Sequence, residues 1–301
     1  MKRLLTAALI TFSFFSCGDG DKDVTGVDKG KDTTAKQNGN NKDAISPEVI
    51  KSFVERIPSP MVISSLIKEM KVEYDQTLLN SIDNESKYNS DHRRALNLGV
   101  YSTDLGYANI YEKSQDAINL ITGVKDMADA LQIGQYFEFE KIKELAKSSD
   151  KLDELLRVTE ENLQKVNEKL QEGNRSDMTV LIITGGWVEV MYLATNVAKK
   201  KKNKDLEATI GEQKVVLADL VNLLNYYEAS PKMKELHDEL KELQKIYEGV
   251  KETTIEGEDK QTEKNGEVVV EQGSRTEIEI PQEVLDKITE KITSIRSKIV
   301  N

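Results

Sequence analysis

The chain has 301 residues, a formal charge of −11 from 42 basic and 53 acidic side chains, and a hydrophobic fraction of only 38%. A nucleic-acid-binding protein is usually basic, and a protein that crosses a membrane many times needs many apolar runs of about 20 residues, so the sequence disfavours both classes. The single cysteine excludes a disulfide within the chain, and two histidines are too few for a histidine-rich metal site. We therefore predict no metal, no cofactor and no nucleic-acid partner.

The first residues have the pattern of a signal peptide. Lys2 and Arg3 are followed by an uncharged run of 12 residues from Leu4 to Phe15. As a helix this run would span about 18 Å, which is short of a hydrocarbon core of about 30 Å. We therefore predict that residues 1–16 are a cleaved signal peptide rather than a spanning helix.

The next residues carry a pattern for lipid attachment. Phe14-Phe15-Ser16-Cys17 resembles the signal of bacterial lipoproteins, although that signal commonly has Leu in place of Phe14 and a small residue in place of Phe15. The resemblance implies cleavage before Cys17, diacylglycerol on its sulfur, and a further acyl chain such as palmitate on its new amino group. These chains would anchor the protein stably, because each buried CH₂ contributes about 0.8 kcal/mol. An ordinary cleaved signal that happens to precede a cysteine is the alternative.

Residues 17–45 are polar and contain few apolar side chains, which predicts a flexible tether with an r.m.s. span of about 30 Å. The stretch from Gly18 to Asp23 resembles the surface-export signal of lipoproteins from Bacteroidota. Acidic residues that only keep the tether solvated are the other interpretation. We therefore expect a cell-envelope protein that is lipid-anchored to the outer membrane. Its body lies either on the periplasmic side or on the cell surface, and the sequence does not distinguish the two.

Residues 46–250 have the periodicity of a helical body, and the predicted fold class is a mainly α, multi-helix bundle. Ser46-Pro47 and Ser59-Pro60 each place a hydroxyl cap before a proline at the first helical position. Apolar residues then recur at steps of three and four, and Asn174 is positioned to cap the most apolar segment. The predicted helices are 47–56, 60–72, 90–112, 114–131, 138–147, 150–172, 175–202, 205–228 and 231–249.

The period changes in residues 251–280, where short β-branched runs alternate with glycines. These runs are Thr253-Thr254-Ile255, Val268-Val269-Val270 and Ile278-Glu279-Ile280. Because Asn265-Gly266 favours a hairpin turn, we predict a small β-hairpin or a three-stranded arm. Residues 281–301 are predicted to form a C-terminal helix that packs back on the body.

Two of the predicted helices contain an unusual stretch, 96–111 in one and 180–192 in the other, that is made mainly of apolar and small residues, with two glycines and a single acid. Gly99 and Gly106 flank Asp104 in one, and Gly185 and Gly186 precede Glu189 in the other. Each glycine inside a helix costs about 1 kcal/mol relative to alanine. The sequence therefore predicts that these two backbones approach each other closely at the glycines.

Such a crossing would bring Asp104 and Glu189 near each other, in a candidate pocket lined by aromatic residues: Tyr101, Tyr107, Trp187 and Tyr192. The first interpretation is structural, with the buried acids satisfied by Arg93, Arg94, a tyrosine hydroxyl or a helix N-terminus. The second is a pocket that holds a ligand without catalysis. The third is a hydrolase in which one raised pKa makes the two carboxyl groups a general acid and base, as in glycan-cleaving enzymes.

Other polar residues have structural interpretations. We predict that His92 lies at the surface or in an ion pair, and that His237, on a charged helix face, is exposed. Lys199 to Lys202 would complement a helix C-terminus, with contact to anionic lipid headgroups as the alternative. The sequence contains none of the motifs of P-loop NTPases, serine hydrolases or zinc proteases.

The chain as a whole resembles the helical lipoproteins of Bacteroidota, a resemblance that rests on about the first 25 residues and implies no reaction. We expect a lipid-anchored envelope protein, attached to the membrane through acylated Cys17, whose body binds a small ligand or an envelope protein without catalysis. The alternatives are a hydrolase that uses Asp104 and Glu189, and a structural partner of an outer-membrane assembly docked through residues 251–280.

Overall fold

A computed structural model describes residue 52 and residues 60–147, 151–255, 260–264, 267–271 and 275–301. The chain divides into two units, residues 1–40 and 41–301, and the described residues all belong to the second. The predicted signal peptide, Cys17 and the tether therefore lie outside the described residues, as does nearly all of the predicted helix 47–56.

The described part of the chain is mainly α-helical, as the sequence predicted. Its helices are α1 (Pro60–Glu69), α2 (Asp91–Ile110), α3 (Ser114–Ala130), α4 (Phe139–Leu145), α5 (Leu152–Glu172), α6 (Ser176–Lys200), α7 (Lys204–Asn225), α8 (Pro231–Tyr247) and α9 (Gln282–Val300). Short 3₁₀ turns join some of them, at Gln76–Leu78, Ile82–Lys87 and Gly134–Tyr136. The predicted bundle is confirmed.

Side-chain caps explain where several helices begin. The Ser90 side chain accepts a hydrogen bond from the Arg93 backbone N–H at the start of α2, and Asn203 caps α7 in the same way. The predicted cap at Asn174 is wrong: α6 begins at Ser176 without a side-chain cap. Asn174 instead has a φ of 56°, the left-handed conformation that commonly ends a helix, and so terminates α5.

Helix α6 is the centre of the bundle and contacts α1, α2, α5, α7 and α9. By length and composition it could cross a membrane, but 89% of its most apolar window is buried inside the body. The apolar composition of α6 is therefore explained by its place in the core of the bundle, where the neighbouring helices cover it.

The arm contains four short strands rather than the two or three predicted. Strand β1 (Lys251–Ile255) pairs antiparallel with β4 (Arg275–Glu279), and β2 (Lys260–Lys264) pairs antiparallel with β3 (Glu267–Glu271). The sequence of β2 is Lys-Gln-Thr-Glu-Lys, which has no apolar alternation to mark it as a strand, and it is ordered by pairing with β3. The predicted turn at Asn265-Gly266 lies outside the described residues, between β2 and β3.

The C-terminal helix α9 lies against α6 and α8. Its buried stripe consists of Leu285, Ile288, Ile292, Ile295 and Ile299. Polar contacts fix its end, since the Tyr88 hydroxyl donates to the Val300 carbonyl at 3.1 Å and the Asn97 amide donates to the Ile299 carbonyl at 3.0 Å. Helix α9 is therefore joined to the central helices by both apolar and polar contacts.

Candidate functional site

Helices α2 and α6 cross at three of the four glycines. A Cβ atom at Gly99 would lie 2.0 Å from the Ile182 carbonyl oxygen, and one at Gly185 would lie 2.0 Å from that of Leu96. The Thr103 hydroxyl donates to the Gly186 carbonyl at 3.2 Å. Any side chain at Gly99 or Gly185 would collide with backbone, so the crossing holds two helix backbones in direct contact.

Gly106, the fourth glycine, is placed differently. It is buried in α2 and lines a separate small cavity beside α3, α4 and α5.

The crossing places Glu189 against an arginine that the sequence did not suggest. Arg296 of α9 binds Glu189 through two hydrogen bonds, from Nε to Oε2 at 2.8 Å and from Nη2 to Oε1 at 2.9 Å. Its guanidinium carbon also lies 4.3 Å from the centre of the Tyr192 ring, close enough for a cation–π contact. The Glu189 side chain has 0% exposure and that of Arg296 has 12%, so this is a buried, bidentate ion pair.

Asp104 lies beside this pair and is also fully buried. Its Oδ2 accepts a hydrogen bond from the Asn80 backbone N–H at 2.9 Å, whereas Oδ1 has no partner. Glu189 is close enough to act on this side chain electrostatically. Burial, and then the negative charge of Glu189, raise the pKa of Asp104 well above its ordinary value.

Further hydrogen bonds connect Asp104, Glu189 and Arg296 to the segment before α2. Arg296 Nη2 donates to the Leu78 carbonyl at 3.0 Å, and the Asn80 side-chain amide donates to the Tyr88 hydroxyl at 3.0 Å and to the Asn97 side-chain oxygen at 3.3 Å. We call Asp104, Glu189, Arg296 and Asn80 the acid cluster. It joins α2, α6, α9 and the loop that contains Leu78.

Of the four aromatic residues predicted around the acids, only Tyr192 contacts the acid cluster through a ring contact. The Tyr101 hydroxyl donates to the Ser81 carbonyl at 3.0 Å. The Tyr107 ring stacks on Tyr74 at a centroid distance of 5.4 Å. Trp187 is 2% exposed, and its indole N–H donates to Gln213 at 3.1 Å. Tyr101, Tyr107 and Trp187 are packed in the core.

A pocket that the sequence did not indicate lies between α2, α3, α4 and α5. It has a volume of about 30 Å³, room for one or two water molecules or a small apolar group. Its lining comprises Ser102, Leu105, Gly106, Asn109, Ile121, Val124, Phe137, Phe139, Ile142, Leu155, Thr159 and Leu163. The Ser102 and Thr159 hydroxyls donate to carbonyls of their own helices, whereas both polar atoms of the Asn109 side chain are buried without a partner.

The prediction for His237 is wrong. Its side chain is only 3% exposed, and Nδ1 lies 3.2 Å from Asp238 Oδ1. His237 follows Leu236 by about 100° around α8, which places it at the edge of the buried stripe rather than on the charged face. His92 is partly buried, and desolvation followed by the charges of Lys232 and Arg93 lowers its pKa to about 4.

Two of the lysines at the end of α6 contact other parts of the protein. Lys200 pairs with Asp75, and Lys201 donates to the Met70 carbonyl. Both contacts tie the end of α6 to the segment that follows α1.

Among the described residues, no group of three or more His, Cys, Asp or Glu side chains could hold a metal ion. Comparison of the chain with protein-family models, curated proteins and solved structures gave no match.

Proposed function

We propose that the protein is a lipid-anchored component of the bacterial cell envelope, whose helical body binds a small ligand or a protein partner without catalysis. The lipoprotein-like signal that ends at Cys17 and the polar tether after it support attachment to the outer membrane. The missing catalytic motifs favour a binding role over a reaction.

The observation that carries this proposal is the burial of the acid pair. A general acid or base must contact its substrate, and Asp104 and Glu189 have no exposed surface. Both oxygens of Glu189 also accept hydrogen bonds from Arg296. A hydrolase that used these two carboxyl groups would have to displace α9 first, so the geometry favours a structural role for them.

The pocket between α2 and α5 is the ligand site that we favour within this proposal. It is partly open and mainly apolar, and Phe137 and Phe139 stack at 5.1 Å beside it. Lys125 lies 5.9 Å from the Phe139 ring. The pocket volume of about 30 Å³ admits only the end of a ligand, so a small apolar end group on a longer polar molecule would suit it.

Thermal melting of the mature protein tests the ligand form, with fatty acids of several lengths, envelope oligosaccharides and apolar peptides as probes. A ligand present at a concentration of 100 times its Kd would stabilise the folded state by about 2.7 kcal/mol and raise the melting temperature. Val124→Ile adds one methylene to the pocket wall and should reduce this rise. A rise that is identical in the variant would place the ligand elsewhere.

Co-purification from membranes tests the partner form. The side chains of β1 are all exposed, which leaves this strand accessible and keeps docking through residues 251–280 as the second candidate. A chain without residues 252–278 should then lose its partner. If no probe stabilises the protein and no protein co-purifies, the proposed binding role is contradicted.

A further inference from the structure

We propose that Asp104 is a neutral carboxylic acid in the folded protein, that it donates its proton to Glu189, and that this shared proton makes the acid cluster a pH-sensitive latch for the C-terminal helix α9. This inference concerns the stability of the fold and is independent of the proposed binding role.

The first argument is the balance of charge. Two ionised carboxylates and one guanidinium would leave one uncompensated negative charge in a place where Asp104 and Glu189 are both 0% exposed. An uncompensated charge is costly to bury, and such a group usually neutralises instead. One proton on either carboxyl group makes the cluster neutral.

The geometry assigns that proton to Asp104. Glu189 receives two charge-assisted hydrogen bonds from Arg296, which stabilise its ionised form. Asp104 receives one backbone hydrogen bond on Oδ2, and its Oδ1 is a buried atom without a partner. A proton on Asp104 would let this carboxyl group donate a hydrogen bond, and Glu189 is the acidic neighbour whose charge acts on it.

The other titratable groups around Asp104 do not compete for this proton. Tyr101 and Tyr107 of α2 and Tyr74 of the preceding segment act on Asp104, and burial raises the pKa of all three. From α6 the charged neighbour is Glu189, and from α9 it is Arg296. Burial and the charge of Glu189 raise the pKa of Asp104, so this carboxyl group is the one that holds the proton in our proposal.

Loss of the Asp104 proton would weaken the contacts that hold α9 on the body. An ionised Asp104 repels Glu189 and competes with it for Arg296, the residue through which α9 binds the Glu189 side chain and the Leu78 carbonyl. The Tyr88 and Asn97 contacts to the end of α9 lie in the same polar network. We therefore expect α9 to become the first helix of the body to open at alkaline pH.

The sign of the pH dependence follows from linkage. The pKa of Asp104 is higher in the folded than in the unfolded chain, so the folded state binds the proton more tightly. The stabilisation is full below the unfolded pKa of about 4, and it falls as the pH rises towards the folded pKa. Over that range the folding equilibrium constant should decrease about tenfold per pH unit.

Urea unfolding of the wild-type chain and of Asp104→Asn between pH 5 and pH 9 tests the proposal. Asparagine keeps a donor towards Glu189 and an acceptor for the Asn80 N–H, so the variant should lose the downward slope and be at least as stable as wild type at pH 8. Asp286→Asn is the control, because Asp286 accepts only a surface hydrogen bond from Gln282 at 3.1 Å, and it should keep the slope. An Asp104→Asn variant that is less stable at every pH, or that keeps the slope, would overturn the proposal.

Two further measurements do not depend on how stable the variants are. The infrared band of a protonated carboxyl group should be present in wild type at pH 7 and absent from Asp104→Asn. Amide exchange of α9, corrected for its intrinsic pH dependence, should accelerate with pH in wild type and not in the variant. A wild-type spectrum without that band, or exchange of α9 that does not change with pH, would contradict the shared proton or the latch respectively.

Discussion

At the residue scale, the buried side chains of the acid cluster depend on one another. Removing Arg296 from its partners, or Glu189 from Arg296, leaves a charge without compensation in the core. Breaking a buried ion pair in this way is usually far more destabilising than the pair itself is stabilising. The sequence predicted that two acids would face each other, but it gave no sign of Arg296, which lies 107 residues from Glu189. Arg93 and Arg94 were the nearer choices in the chain, and neither pairs with the acids in the described contacts.

Glu189→Gln should lower the free energy of unfolding by about 3–5 kcal/mol, because the amide removes the ionised, bidentate partner of the buried Arg296 side chain. Urea unfolding at pH 7 measures this change. Glu161→Gln is the matched control, since Glu161 pairs with Arg157 on the surface and the two side chains are 46% and 56% exposed, and it should cost no more than about 1 kcal/mol. Equal effects of the two substitutions would mean that the Glu189–Arg296 pair does not act as a buried ion pair.

At the scale of the elements, the α2–α6 crossing sets the geometry of the body. Glycine was a readable signal here, because a residue that weakens a helix is retained where a backbone must come close. The sequence did not predict which atoms each glycine lies against. Gly99 lies against Ile182 and Gly186, and Gly185 lies against Leu96. Strand β2 could not be predicted from its own residues. Its sequence is polar, and it forms a strand by pairing with β3, a contact that no local pattern in the sequence indicates.

Gly99→Ala should be destabilising by about 1–3 kcal/mol or more, because its Cβ would lie 2.0 Å from a backbone oxygen that only helix separation can move. The gain in helix propensity, about 1 kcal/mol, does not offset this. Gly173→Ala is the control, since the nearest atom there is 3.4 Å away, and it should change stability by no more than about 1 kcal/mol. Circular dichroism melting compares the two, and a Gly99→Ala variant as stable as wild type would contradict the close crossing.

At the scale of the whole molecule, the helical class and most helix positions were predictable because the apolar residues recur at helical spacing along nearly the entire body. The pocket was not predictable. Its lining comes from helices α2 to α5 and from Phe137, which precedes α4. No single segment of the sequence therefore indicates the pocket. His237 illustrates the same limit, because one step around α8 decides whether a side chain is buried.

Attachment through Cys17 is the claim on which the proposed function depends, and labelling with an alkyne analogue of palmitate in a bacterial host tests it most directly. Cys17 is the only cysteine of the chain, so Cys17→Ala removes the one site of thioether attachment without touching the helical body. The wild-type chain should incorporate the label and sediment with membranes, and the Cys17→Ala chain should do neither. An unlabelled wild-type chain, or a label that persists in the variant, would contradict the lipid anchor.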